Sequence, residues 1–124
     1  MNVNRQVAIG LWAAALAATP LWAHHSWSID YDLSQSKRIS GTVHRVIFQS
    51  PHSAIMIDVE TADGGSERWR VEWGSPTRLR DRGVDGNTLR AGDEVAVIGH
   101  PHRDPETKSL HFESLVRSSD GLQL

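Results

Sequence analysis

The sequence predicts an all-β fold with a small α contribution: a five-stranded OB-fold-like barrel with a short helix between strands 3 and 4. Three observations carry this expectation. Apolar residues alternate with polar ones in five stretches separated by turn-forming residues. A Ser-Pro pair followed by a glycine places one short helix between the third and fourth stretches. Once an N-terminal leader is set aside, about a hundred residues with no cysteine remain, so one hydrophobic core must hold the domain. Three strands, a helix and two more strands is the element order of the OB-fold.

Residues 1–23 read as a signal peptide. One positive charge at Arg5 precedes an apolar run over 7–19, and Pro20-Leu21-Trp22-Ala23 ends on a small residue. Cleavage is expected after Ala23, with Ala17 or Ala18 as the rival positions. The run is shorter than the ~20 residues a spanning helix needs, so no stable membrane anchor is expected after cleavage. The chain is thus expected in the periplasm or outside the cell. Without cysteine it carries neither a lipid anchor on its first mature residue nor a disulfide framework.

Residues 24–36 show no sustained period and read as an extended arm, with Trp27, Ile29 and Tyr31 able to lie along a sheet. The barrel domain is expected over 37–117. Ile39, Val43 and Ile47 alternate with polar residues while Val46 and Phe48 are out of phase, which predicts a long first strand with a bulge near Arg45. Gly41 suits the coiling of that strand. Ile55, Ile57 and Val59 mark the second strand, Asp63-Gly64-Gly65 a turn, and Trp69, Val71 and Trp73 the third. Ser75 can cap a helix that has Pro76 in its first position and ends at Gly83. Residues 94–99 give the fourth strand, 101–109 a hairpin loop, and Leu110, Phe112, Leu115 and Val116 the last strand. Residues 118–124 read as a loose tail.

Composition narrows the function classes. The whole chain has a formal charge of −2, and loss of Arg5 with the leader leaves twelve basic residues against fifteen acidic ones. This balance opposes nucleic-acid or anionic-membrane binding. No G-x-S-x-G elbow, H-E-x-x-H pair or phosphate-binding glycine loop occurs, and Asp30 and Asp32 beside Tyr31 do not define acid–base chemistry without a cleft. An enzyme is therefore not the expected reading.

All seven histidines lie beyond residue 23. Cleavage after Ala23 would expose His24-His25 beside an α-amino group of pKa about 8. That terminus can chelate through the amine and the His24 ring, or through the amine, the His25 amide nitrogen and the His25 ring, and such donors suit Cu(II) or Ni(II). His52 follows Pro51 in the loop between strands one and two, where OB barrels present ligand contacts. His100-Pro101-His102 has the i, i+2 spacing that puts two rings on one side of an extended segment. His44 and His111 alternate with apolar residues, so they should face solvent or cross-strand neighbours. Arg78 and Arg82, in a locally arginine-rich stretch at the helix, are candidates for an anionic ligand, although interleaved acids favour solvated ion pairs. Trp69 and Trp73 fit the barrel interior better than a stacking surface.

Several short motifs occur in a fixed order: Ala23-His24-His25-Ser26, Gly41-Thr42-Val43, Pro51-His52, Gly74-Ser75-Pro76, and Gly92-Asp93 followed by Val95, Val97 and Gly99. In this order and spacing, over residues 23–116, the chain resembles a family of small exported bacterial proteins known only as a domain of unknown function. The resemblance implies no activity, but it places His24, His25 and His52 in a recurring pattern. The leading expectation is a small exported binding protein that takes copper or another transition metal through His24, His25 and His52. The alternative is an OB-fold interaction module for a protein, saccharide or small anion, and the third reading is a copper redox enzyme.

Overall fold

The period-two stretches become five strands in the computed structural model, which describes residues 26–124. They are β1 (Lys37–Ile47), β2 (Ala54–Glu60), β3 (Ser66–Glu72), β4 (Glu94–Pro101) and β5 (Ser109–Arg117). The strands close into a barrel in the order β1-β2-β3-β5-β4, with β4 pairing back onto β1. Only β3 and β5 run parallel. A short helix, α2 (Pro76–Arg80), lies between β3 and β4. The OB-fold-like barrel expected from the element order is therefore the observed fold.

Alternation fills the interior. Val43, Ile55, Ile57, Val71, Val97, Leu110 and Leu115 are buried to within 1% of full coverage, and each such side chain contributes about 1.5–3 kcal/mol relative to exposure. Trp69 and Trp73 join this core, as their alternation with Arg70 and Glu72 implied. The expected bulge falls at His44: Val43 pairs with Ile57 and Arg45 with Met56, so His44 is the extra residue. Its ring lies on the surface beside Asp58, 3.4 Å away, and Arg68, 3.2 Å away. The helix also forms as its caps dictate, with the Ser75 hydroxyl accepting from the Arg78 amide and Gly83 in the left-handed region at φ 76°.

Three segments differ from their sequence readings. The arm is not extended throughout, because α1 (Trp27–Asp30) forms one helical turn before Tyr31 bridges to His102. The β4–β5 loop is shorter than expected, since β4 continues through Pro101. The tail is ordered. Leu115 and Leu124 exchange two backbone bonds of 2.9 Å, and Leu122 and Leu124 pack on the core. Arg117 clamps this end by donating to Asp93 at 3.0 Å, Asp120 at 2.8 Å and the Thr88 carbonyl at 2.9 Å. The Asp120 carboxyl is pulled down to about 2, chiefly by its bond from Arg117. A polar tail sequence hides such docking because two leucines and one arginine carry it. The predicted leader, His24 and His25 lie outside the described residues.

Gly41 is required by proximity. A Cβ there would stand 2.2 Å from the Asp58 carbonyl oxygen, where only backbone movement could relieve it. Gly41→Ala should lower the unfolding free energy by about 1–3 kcal/mol in urea denaturation. The neighbouring exposed Ser40→Ala should stay within about 0.5 kcal/mol of the parent.

Candidate functional site: a histidine row under a tryptophan strap

Strand register assembles the site. Ala54 pairs with Glu72 across β2–β3, Glu72 with His111 across β3–β5, and His111 with His100 across β5–β4. Their inward neighbours, such as Val71 and Leu110, fill the core, so alternation turns this transverse row to the outer face of the barrel. His52 stands just before β2, with Nδ1 3.9 Å from Glu72 Oε2. The other Glu72 oxygen accepts from Arg70 Nε at 2.7 Å.

The arm crosses this row and is fixed to the β4–β5 hairpin. Asp32 N–H donates to the Pro101 carbonyl at 2.9 Å, Arg103 N–H to the Asp30 carbonyl at 2.8 Å, and the Tyr31 and Ser109 hydroxyls lie 2.8 Å apart. Burial raises the Tyr31 phenol above its ordinary pKa. With the chain so held, the Trp27 indole packs against two imidazoles, its centroid 4.3 Å from His52 and 4.3 Å from His111. Tyr31 meets His102 edge-on at 5.5 Å, and His100 stacks beside His111 at 5.9 Å.

Hydrogen bonds distinguish the rings. His100 Nδ1 faces the Gln35 carbonyl at 2.8 Å. A carbonyl only accepts, so Nδ1 carries the proton and, in the neutral ring, Nε2 keeps its lone pair. His102 is the reverse: its Nδ1 accepts the Asp104 N–H at 3.1 Å, which leaves the proton of the neutral ring on Nε2. The i, i+2 pair therefore offers one donor nitrogen from His100 and a hydrogen-bond donor from His102. His111 Nδ1 is buried with no hydrogen-bond partner among the described residues. Burial lowers the His111 pKa, the neighbouring His100 and His52 charges add to this, and Glu72 opposes it.

Among the described residues no three histidines or carboxylates converge closely enough to hold a metal ion. Arg78 and Arg82 are exposed on and just beyond α2, and no hydrogen bond, ion pair or ring contact joins either to the histidine row. The sequence reading passed over His111, Glu72 and Trp27. The signal was present in the hairpin: with the loop drawn at 101–109, Leu110 falls opposite His100, whereas the actual register puts His111 there. One position of slip hides the pair.

A family model described as a family of unknown function matches residues 13–111. The chain belongs to that family, DUF6152. No curated protein matches the sequence. In this DUF6152 protein the matched span takes in Trp27, His52, Glu72, His100 and His111, and ends inside β5.

Because His111 titrates lower in the folded chain than its ordinary 6.5, its contribution to stability is complete above that value. It is lost as the pH falls through 6.5 toward the lowered native value, where the unfolded chain takes up the proton first. In His111→Phe, which keeps a ring against Trp27, the unfolding free energy should fall less steeply over this acidic range. Equal pH slopes for the two proteins would contradict the assignment.

Proposed function

We propose that this chain is an exported metal-binding protein, with copper as its first metal, that joins a terminal chelate at His24 and His25 to an imidazole from His52. The observation that carries the reading is the seat of Trp27 against His52 at 4.3 Å. Trp27 follows His25 by two positions, and an extended chain covers at most about 3.6 Å per residue. His24 thus starts within roughly 11 Å of the Trp27 backbone, near enough for its ring or amine to meet His52.

The donor chemistry fits the group. A terminal amine and one or two imidazoles are borderline nitrogen donors that Cu(II) prefers over harder oxygen sets. Glu72 Oε2 lies 3.9 Å from His52 Nδ1, so the Nδ1 edge of the ring faces the carboxylate and Nε2 is left for the ion. His100, with its proton held on Nδ1 by the Gln35 carbonyl, offers another oriented Nε2. Holding or buffering a metal is the role these nitrogen donors favour. Export rests on the leader-like residues 1–23.

Calorimetric and electron paramagnetic resonance titration of protein processed after Ala23 should show one Cu(II) in a nitrogen-rich environment. Binding should quench Trp27 emission, a signal lost in Trp27→Phe. His52→Ala should weaken binding by about tenfold or more, a loss of about 1.4 kcal/mol. One extra residue before His24 should weaken it further, and equal binding by that extended form would sink the terminal chelate. The intact mass of the exported protein checks the cleavage position.

A further inference from the structure

A second concave site lies beside the strap and owes nothing to the histidine row's metal chemistry. It is a cavity of ≈ 510 Å³ between the arm and the β4–β5 hairpin, with Trp69 in its lining. That volume is within the range of small-molecule sites. Three kinds of group meet there. Trp69, in the core at 6% exposure, supplies an aromatic wall. Asp32, Gln35, Ser36 and Thr107 give the rim hydrogen-bonding groups.

The third kind is cationic. Lys37 Nζ lies 4.8 Å and Lys108 Nζ 5.6 Å from the Trp69 ring centroid, and Arg103 lines the same cavity. Their charges are not equally matched. Lys108 is paired with Glu67 at 3.5 Å. Arg103 spends only its Nε on the Ser28 carbonyl, at 3.0 Å, so its terminal guanidinium nitrogens remain for another acceptor. Lys37 forms no ion pair among the described residues. The one carboxylate in the lining, Asp32, accepts from Ser34 and Gln35, and its charge also faces Arg103.

We propose that this cavity binds a sugar acid. The ring's C–H face would lie against Trp69, its hydroxyls would meet the polar rim, and its carboxylate would sit between Lys37 and Arg103. A lysine stem is flexible enough to swing its ammonium from the indole to a carboxylate, and a guanidinium holds a carboxylate with paired N–H groups. A neutral sugar leaves Lys37 without a counter-charge, and a small acid without a ring makes no contact with the indole.

The test uses glucuronate, glucose and acetate as probes, read by calorimetry and by the assigned indole N–H resonances of the protein. Glucuronate should bind saturably and shift the Trp69 indole signal more than that of Trp27. Glucose and acetate should bind at least tenfold more weakly. Lys37→Gln and Arg103→Gln, both at exposed positions, should each reduce glucuronate affinity about tenfold with an unchanged melting temperature. Absence of saturable glucuronate binding overturns the proposal. So does equal binding of glucose, or full affinity in both variants. Addition of Cu(II) should leave glucuronate affinity unaltered, so this result and the metal titration stand or fall separately.

Discussion

The double pairing of β1 is the constraint on which the rest of the structure depends. One strand must hydrogen-bond to β2 along its second half and to β4 along its first half, with Thr42 shared between the two ladders. A flat strand cannot do both. Gly41 lets the Asp58 backbone come close, and the extra residue at His44 bends the strand where the pairing partners change over. With β1 so bent the barrel closes, no edge is left between β1 and β4, and the core residues of all five strands face one another.

Closure also fixes the outer face. Once β3 and β5 lie parallel, Glu72 and His111 are neighbours, and the β4–β5 hairpin brings His100 alongside. These residues come from three strands with no local sequence relation, yet their register leaves no freedom in who adjoins whom. The arm adds what a sheet surface alone lacks, which is cover. Trp27 and Tyr31 remove His111 from much of the solvent, and the resulting burial is what holds that imidazole toward its neutral form.

Much of this was legible in the sequence, for identifiable reasons. Strand positions followed from strict alternation, the β1 bulge from the phase break between Val43 and Val46, and α2 from Ser75, Pro76 and Gly83 acting as punctuation. The site was legible only in fragments. His52 could be found because it follows a proline in an inter-strand loop. His111 looked like one more surface position on a strand, because its environment depends on a helical turn over Trp27–Asp30 that has four residues and no hydrophobic period. The side-chain bond between Tyr31 and Ser109 spans 78 positions and leaves no local trace. The tail escaped for a similar reason, since its docking rests on Arg117 and two leucines rather than on a repeating pattern.

The strap has a further consequence for the order of assembly. Its resting place is built from the β4–β5 hairpin, near the other end of the chain, so the first residues of the domain settle only after the last strands have formed. For a chain synthesised amino end first, the histidine row stays unbuilt until the last strands are available. Contacts of such long sequence separation are slow to form, and Trp27 would find its two imidazoles at the close of folding. Burial of that indole is therefore a natural clock for the last step of folding.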